Sequence, residues 1–272
     1  MVIRGETTDK VNISEIETLI IESTAVALTS ALIADLTDSG VNIIFCNNKH
    51  TPSSFFIPVH SHWSVSKNIK QQIAWTETQK SQCWQQIIQE KIKQQALHLQ
   101  SINKLDEYNV LLAMSQNVDI GDTLNLEARA AAGYFRTLFG KSFARGNDCF
   151  ENEALNYGYT LLLSAFVREI AACGYITELG IHHKGVENAF NLASDLMEPF
   201  RIVVDRLTLQ IPLDQKPVYK RYMLNLFSQY IKINNESQAL IPAIRIYLHR
   251  IFRFLNGEVD NIYTIEIQSE QK

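Results

Sequence analysis

The sequence predicts an α+β protein: a small β-rich N-terminal domain over residues 1–63, then a larger all-α domain over residues 64–272. Two patterns point there. As far as Ile57 the apolar residues come in short, compact runs, as in strands; from Ser64 onward they recur three and four residues apart, the helical period. A chain of 272 residues is one large domain or two modest ones, enough to bury a real core.

Val11–Ile13 and Thr18–Glu22 read as strands. A helix over Leu28–Ser39 follows, with Gly40 at the left-handed position that closes helices. Val41–Phe45 reads as a buried strand and Phe55–Ile57 as another, closed by Pro58. In the glutamine-rich stretch Gln79–Gln100, Trp84, Ile87, Ile88 and Ile92 keep a helical stripe, so the glutamines are expected on a solvated face. Leu155, Tyr159, Leu162, Leu163, Phe166 and Ile170 mark a strongly apolar helix. Two further stripes, from Tyr219 through Leu226 to Tyr230 and from Leu240 through Leu248 to Leu255, predict core faces of amphipathic helices.

Composition narrows the function classes. With 46% hydrophobic and 10% aromatic residues the chain is not disordered, and a net charge of −4 leaves nucleic-acid contact to local basic patches. The first ten residues have no apolar core of a secretory signal, and Leu19–Ala34 is broken by Glu22, so no membrane span is expected. Cys46, Cys83, Cys149 and Cys173 read as reduced thiols of a cytoplasmic protein. Dinucleotide and phosphate loops, the Gly-x-Ser-x-Gly elbow and zinc spacings are absent.

Polar residues interrupt the apolar pattern at three places. In Leu124–Phe139 the inward face is read as Leu124, Ala128, Ala131, Phe135 and Leu138, and Glu127 shares it, either as a rim carboxylate paired with an arginine or as part of a site. In Gly174–Gly185, His182 and His183 stand between glycines as ligand, general base or plain surface residues. In Phe190–Arg201, Asn191, Asp195 and Glu198 form one polar stripe, and Pro199 bends the helix by withholding a backbone donor. Two acids and one imidazole suit Mn²⁺ or Mg²⁺ better than a closed zinc site, and their charges balance a divalent ion. Phosphodiester chemistry follows from such a site.

Glu127-Ala-Arg-Ala-Ala-Ala-Gly-Tyr-Phe135, Asn152-Glu-Ala-Leu-Asn156-Tyr-Gly-Tyr159, Gly180-Ile-His-His183 and Ser194-Asp-Leu-Met-Glu-Pro-Phe-Arg201 resemble, in this order, the motifs of the CRISPR-associated Cas1 endonucleases, the integrases of spacer acquisition. The resemblance runs from about Val11 to past Arg206. With Ile43-Ile-Phe-Cys-Asn-Asn-Lys49 upstream, it is most similar to the type II form. The chain starts inside what is the family's first β-hairpin, so its N-terminus reads as shortened.

The resemblance implies a β domain that forms a homodimer contact and a helical catalytic domain. It implies Mg²⁺ or Mn²⁺ held by Glu127, His183 and Glu198, with Asp195 a position that some members also use. The family's Gly-x-x-His spacing selects His183 over His182. The reaction implied is transesterification: the 3′-OH ends of a short captured DNA duplex attack the edge of a CRISPR repeat, and with water as nucleophile the same site is a metal-dependent endonuclease. Double-stranded DNA, a second copy, the Cas2 protein and, in type II systems, a helper and the effector nuclease are the partners implied.

Asn156 and Tyr159 are expected to position the site from a neighbouring helix. Candidate phosphate contacts are Arg245, His249, Arg250 and Arg253 opposite the last apolar stripe, then Lys216, Lys220 and Arg221, and Lys67 with Lys70. His60 and His62 flank the domain junction. Two other readings stay open: a nuclease for branched repair DNA, and a non-catalytic DNA-binding scaffold.

Overall fold

Short β-branched runs build the first of two units, residues 1–60, and helical stripes dominate the second, residues 61–272. The computed structural model describes residues 1–5, 7–56 and 64–267; Ile57, Pro58, His60 and His62 lie outside them.

In the first unit β1 (Val2–Arg4) and β2 (Thr8–Lys10) form an antiparallel hairpin. The strand expected at Val11–Ile13 is instead a loop and a 3-10 turn, because the Asn12 side chain accepts the Ser14 N–H and caps Ile13–Glu15. β3 (Thr18–Ile21) connects through α1 (Ser30–Asp38) to β4 (Asn42–Cys46), which pairs parallel to β3 and antiparallel to β5 (Pro52–Phe55). Thr29 caps the start of α1, and Gly40, at φ +71°, follows its end as expected. Leu36, Val41 and Ile43 are the core, flanked by Ile13, Ile16, Leu19, Leu32 and Phe45.

The second unit contains α2 (Val65–Ala74), α3 (Glu77–Ser101), α4 (Leu105–Gln116), α5 (Leu126–Phe139), α6 (Phe150–Ala172), α7 (Asn191–Leu196), α8 (Arg201–Gln210), α9 (Tyr219–Met223) and α10 (Leu240–Leu255). Helix α3 starts in a capping box between Thr76 and Gln79 and packs against α4, α5, α8 and α10. Among the described residues no helix is long and apolar enough to cross a membrane.

The glutamine-rich stretch corrects its sequence reading. Glu90, Lys91, Gln94, Gln95 and His98 are buried, so this face of α3 is not solvated. Its amides tie down backbone that no helix or strand would satisfy: Gln85 Nε2 donates to Val118 O at 2.7 Å, and Gln86 Oε1 accepts from Ile262 N at 2.9 Å. Glu90 and Gln94 together hold the N–H and C=O of Ile265.

Three further readings are corrected. The stripe through Tyr230 is not one helix: α9 stops at Met223, a 3-10 turn follows, and β6 (Tyr230–Ile233) begins where the alternation of Tyr-Ile-Lys-Ile suits a strand. β6 pairs with β7 (Glu236–Ala239) and β8 (Ile265–Ile267), so the mainly helical unit carries a three-stranded sheet and is not all-α. On α5 the buried face is Leu126, Ala130, Tyr134 and Phe135, while Leu124 and Ala128 are exposed. Asn125 is left-handed at φ +51°, and Asp122 accepts the N–H groups of Leu126 and Glu127, so Leu124 lies outside the helix.

Gly158 marks a close approach of α6 to α8 and α9: a Cβ there would stand 2.5 Å from Val204 Cγ1 and 3.0 Å from Met223 Sδ. Gly158→Ala should therefore lower unfolding free energy by about 1–3 kcal/mol in denaturant titration. Gly133→Ala on α5 meets no atom within 4 Å and should be neutral or stabilising by roughly 0.5–1 kcal/mol.

Candidate active site

Three separate segments converge on one ammonium group. Lys91, at 9% side-chain exposure on α3, places Nζ 2.5 Å from Glu127 Oε1 and 2.5 Å from Glu198 Oε2. Glu127 comes from the first turn of α5. Glu198 opens the 3-10 turn Glu198–Phe200 between α7 and α8, where Pro199 interrupts the α-helical ladder. Its second oxygen accepts from Arg201 Nε at 2.9 Å. Burial alone would raise the Glu198 pKa; Arg201 and Lys91 outweigh it and hold the carboxyl at about 2. Burial would likewise lower Lys91, but Glu198 and Glu127 raise it, so the lysine is charged.

His183 is held by Asp195. The fully buried carboxylate accepts the backbone N–H groups of Ile181, His182 and His183 at 2.7, 2.9 and 3.1 Å, and contacts His183 Nδ1 at 2.5 Å. A carboxylate is an acceptor, so Nδ1 carries a proton, and in the neutral imidazole Nε2 keeps its lone pair. The Asp195 hydrogen bond raises the His183 pKa, with burial opposing. Gly180 permits the wrap: a Cβ there would lie 2.5 Å from His183 O and 2.8 Å from Asp195 Oδ2. The neighbouring His182 stacks on Trp84, with centroids 4.1 Å apart and planes within 4°.

A cavity of about 230 Å³ lies over the two acids, lined by Lys91, Glu127, Arg145, Tyr159, Glu198 and Arg201 among others. His183 lines a separate recess of about 660 Å³ beside Ile73 and Val186. The structure thus brings Glu127 and Glu198 together and leaves His183 paired with Asp195. Among the described residues no three acidic, histidine or cysteine groups are gathered as a metal cluster in this arrangement.

Tyr159 and Asn156 both touch the charged wall of the smaller cavity. Asn156 Oδ1 accepts from Arg145 Nη2 at 2.7 Å, and Asn152 Oδ1 takes Nη1 of the same guanidinium. Arg145 and Arg201 lie over the Tyr159 ring at 5.4 and 4.6 Å. The Tyr159 hydroxyl donates to the buried Asp205. Sequence reasoning missed Lys91, Arg145, Arg201 and Asp205. For Lys91 a signal existed: it falls four residues after Ile87 and three after Ile88, on the buried stripe of α3.

Five of the basic candidates are engaged within the unit. Arg245 Nε donates to buried Glu169 at 2.8 Å, Arg250 binds Asn261, and Arg253 pairs with Glu258 at 3.1 Å. Lys216 pairs with Glu151 at 3.3 Å, and Lys220 lies over Tyr157. His249 and Arg253 are exposed on the outer side of α10, and Arg221, Lys67 and Lys70 bring their charges to the surface of the same unit.

Burial raises the Asp205 pKa from 3.8 to about 6, against hydrogen bonds from Tyr159 and Tyr134. The folded chain then binds a proton more tightly than the unfolded one, so stability falls as pH rises through this window and the loss is complete above it. Urea titrations between pH 4 and 7 should show a loss on the order of 3 kcal/mol from this group, absent in Asp205→Asn.

Residues 1–216 match the family model "CRISPR associated protein Cas1". The chain is 30% identical over 240 residues to a CRISPR-associated endonuclease Cas1 of Neisseria meningitidis, covering 86% of this chain and 79% of that protein. Among solved structures, a casposase bound to an integration product superposes with a TM-score of 0.73 at 19% identity, over 91% of this chain and 80% of that one. A Cas6-RT-Cas1–Cas2 complex matches with a TM-score of 0.67 at 18% identity, over 94% of this chain and 32% of the longer one. Fold, ordered motifs and these likenesses agree: the chain belongs to the Cas1 family of CRISPR-associated proteins.

Proposed function

We propose that this protein is a CRISPR-adaptation integrase that joins the 3′-OH ends of short captured DNA into the repeat array, with Glu127, His183 and Glu198 as its metal ligands. The observation that carries the reading is the convergence of Glu127 and Glu198 on one cationic centre, together with an imidazole that Asp195 orients and whose pKa both carboxylates also raise. The donor set fits a divalent cation. Buried Glu198 Oε2 makes no hydrogen bond and meets Lys91 only as an ion pair, and His183 offers Nε2. Mg²⁺ or Mn²⁺ held by these three residues would activate the attacking hydroxyl and stabilise charge on the phosphate.

The chain's own residues do the rest. Asp195 has its acceptor positions filled by four donors, so its part is to orient His183. Arg145, anchored by two amide oxygens and two aromatic rings, brings positive charge to phosphate oxygens in the cavity. Asn156 and Tyr159 hold that guanidinium and Arg201 in place. The endonuclease name of the Neisseria relative and the integration product bound by the casposase support DNA strand transfer. The complex containing Cas2 supports a Cas2 partner for a homodimer of this chain, and the type II helper and effector nuclease complete the proposed set.

The test is strand joining of a short 3′-OH duplex to a supercoiled plasmid carrying the repeat, with and without Cas2, in Mn²⁺, Mg²⁺ or EDTA. Metal-dependent joining that His183→Ala abolishes while DNA binding persists is the expected result. Cutting without joining would favour the repair nuclease, and DNA retention with no product the scaffold. Asp195→Asn should slow joining about 10- to 100-fold, as loss of a histidine-orienting carboxylate does.

A further inference from the structure

Among the described residues Lys91 touches both proposed acidic ligands. Its ammonium is buried, donates to Glu127 Oε1, and reaches Glu198 Oε2 at the same 2.5 Å separation. Arg201 neutralises the other oxygen of Glu198. The two carboxylates are therefore already matched by the ammonium and the guanidinium in contact with them. A divalent ion added to that set would bring two more positive charges into a site screened from water, where like charges repel strongly. At 2.5 Å the ammonium takes up positions on Glu127 Oε1 and Glu198 Oε2, so a cation directed at those positions competes with it.

We propose that Lys91 is a built-in competitor of the divalent metal: it latches Glu127 and Glu198 together in the metal-free protein and must release them for the metal to bind. The inference rests on the metal-site reading above and adds a regulatory step to it. In the latched form the buried Lys91 ammonium is neutralised by both carboxylates, which spares the metal-free protein an uncompensated buried cation. The freed ammonium remains on a flexible four-carbon stem in the wall of the 230 Å³ cavity. Apparent metal affinity is then reduced by the fraction of protein in the latched state.

Mn²⁺ titration of the full-length protein, followed by electron paramagnetic resonance of free Mn²⁺, tests this without reference to activity. Lys91→Met should bind Mn²⁺ at least about tenfold more tightly than the native protein, and Lys91→Arg, which keeps the charge, should stay within roughly threefold. Glu127→Gln should abolish binding and so locate it. In the native protein, acetic anhydride should label Lys91 several-fold faster in Mn²⁺ than in EDTA, a readout that holds even where Lys91→Met fails to fold. Equal Mn²⁺ affinity in native protein and Lys91→Met, or Lys91 labelling indifferent to Mn²⁺, overturns the latch and leaves the metal site standing. No Mn²⁺ binding by either protein overturns both.

Discussion

An ammonium group taken out of water costs several kcal/mol unless its charge is met at close range. In this protein the demand falls on Lys91, in the middle of the longest helix, and it is met by carboxylates from two other segments. Those two contacts tie the first turn of α5 and the turn at Pro199 to the middle of α3. Glu198 in turn recruits Arg201, and Arg201 stacks on Tyr159. The chain of contacts reaches Asp205 through the Tyr159 hydroxyl. One unavoidable neutralisation thus orders most of the polar wall around the cavity.

Elsewhere the helical unit solves the same problem by the same means. Glu169, at 1% exposure on α6, is paired with Arg168 and with Arg245 from α10. Glu90 and Gln94 on α3 act toward β8 as a strand partner would, accepting its N–H and donating to its C=O. Purely apolar packing cannot specify such registers, since it has no direction; hydrogen bonds and paired charges do. The polar groups buried in α3 define its neighbours as much as its isoleucines do.

What could be read from the chain divides along the same line. Local rules found α1 and the glycine after it, the break at Pro199, and the helical period of α6 and α10, because each depends on residues a few positions apart. The motif resemblance singled out Glu127, His183 and Glu198. The solvated reading of the glutamine stretch failed because burial of an amide depends on distant backbone, Val118 and Ile265, that no window around Gln85 or Gln94 contains. The β6–β7–β8 sheet escaped because its strands are only three or four residues long and because β8 joins β6 from more than thirty positions away, although β6 and β7 form a local hairpin. Lys91 lay on the apolar stripe, yet its partners come from 36 and 107 positions further along the chain.

The loop that carries the histidines is pinned at both ends. Asp195 grips Ile181, His182 and His183, and Asn191 donates to Glu178 O at 3.1 Å and Gly185 O at 2.9 Å. Between these anchors the segment 186–189 is exposed, Val186 entirely so. Doubling the length of a flexible loop between fixed ends costs only about 0.6 kcal/mol in closure entropy. Insertions and substitutions can therefore accumulate at the tip without moving the imidazole, which gives this stretch a freedom to diversify that the residues on either side of it do not share.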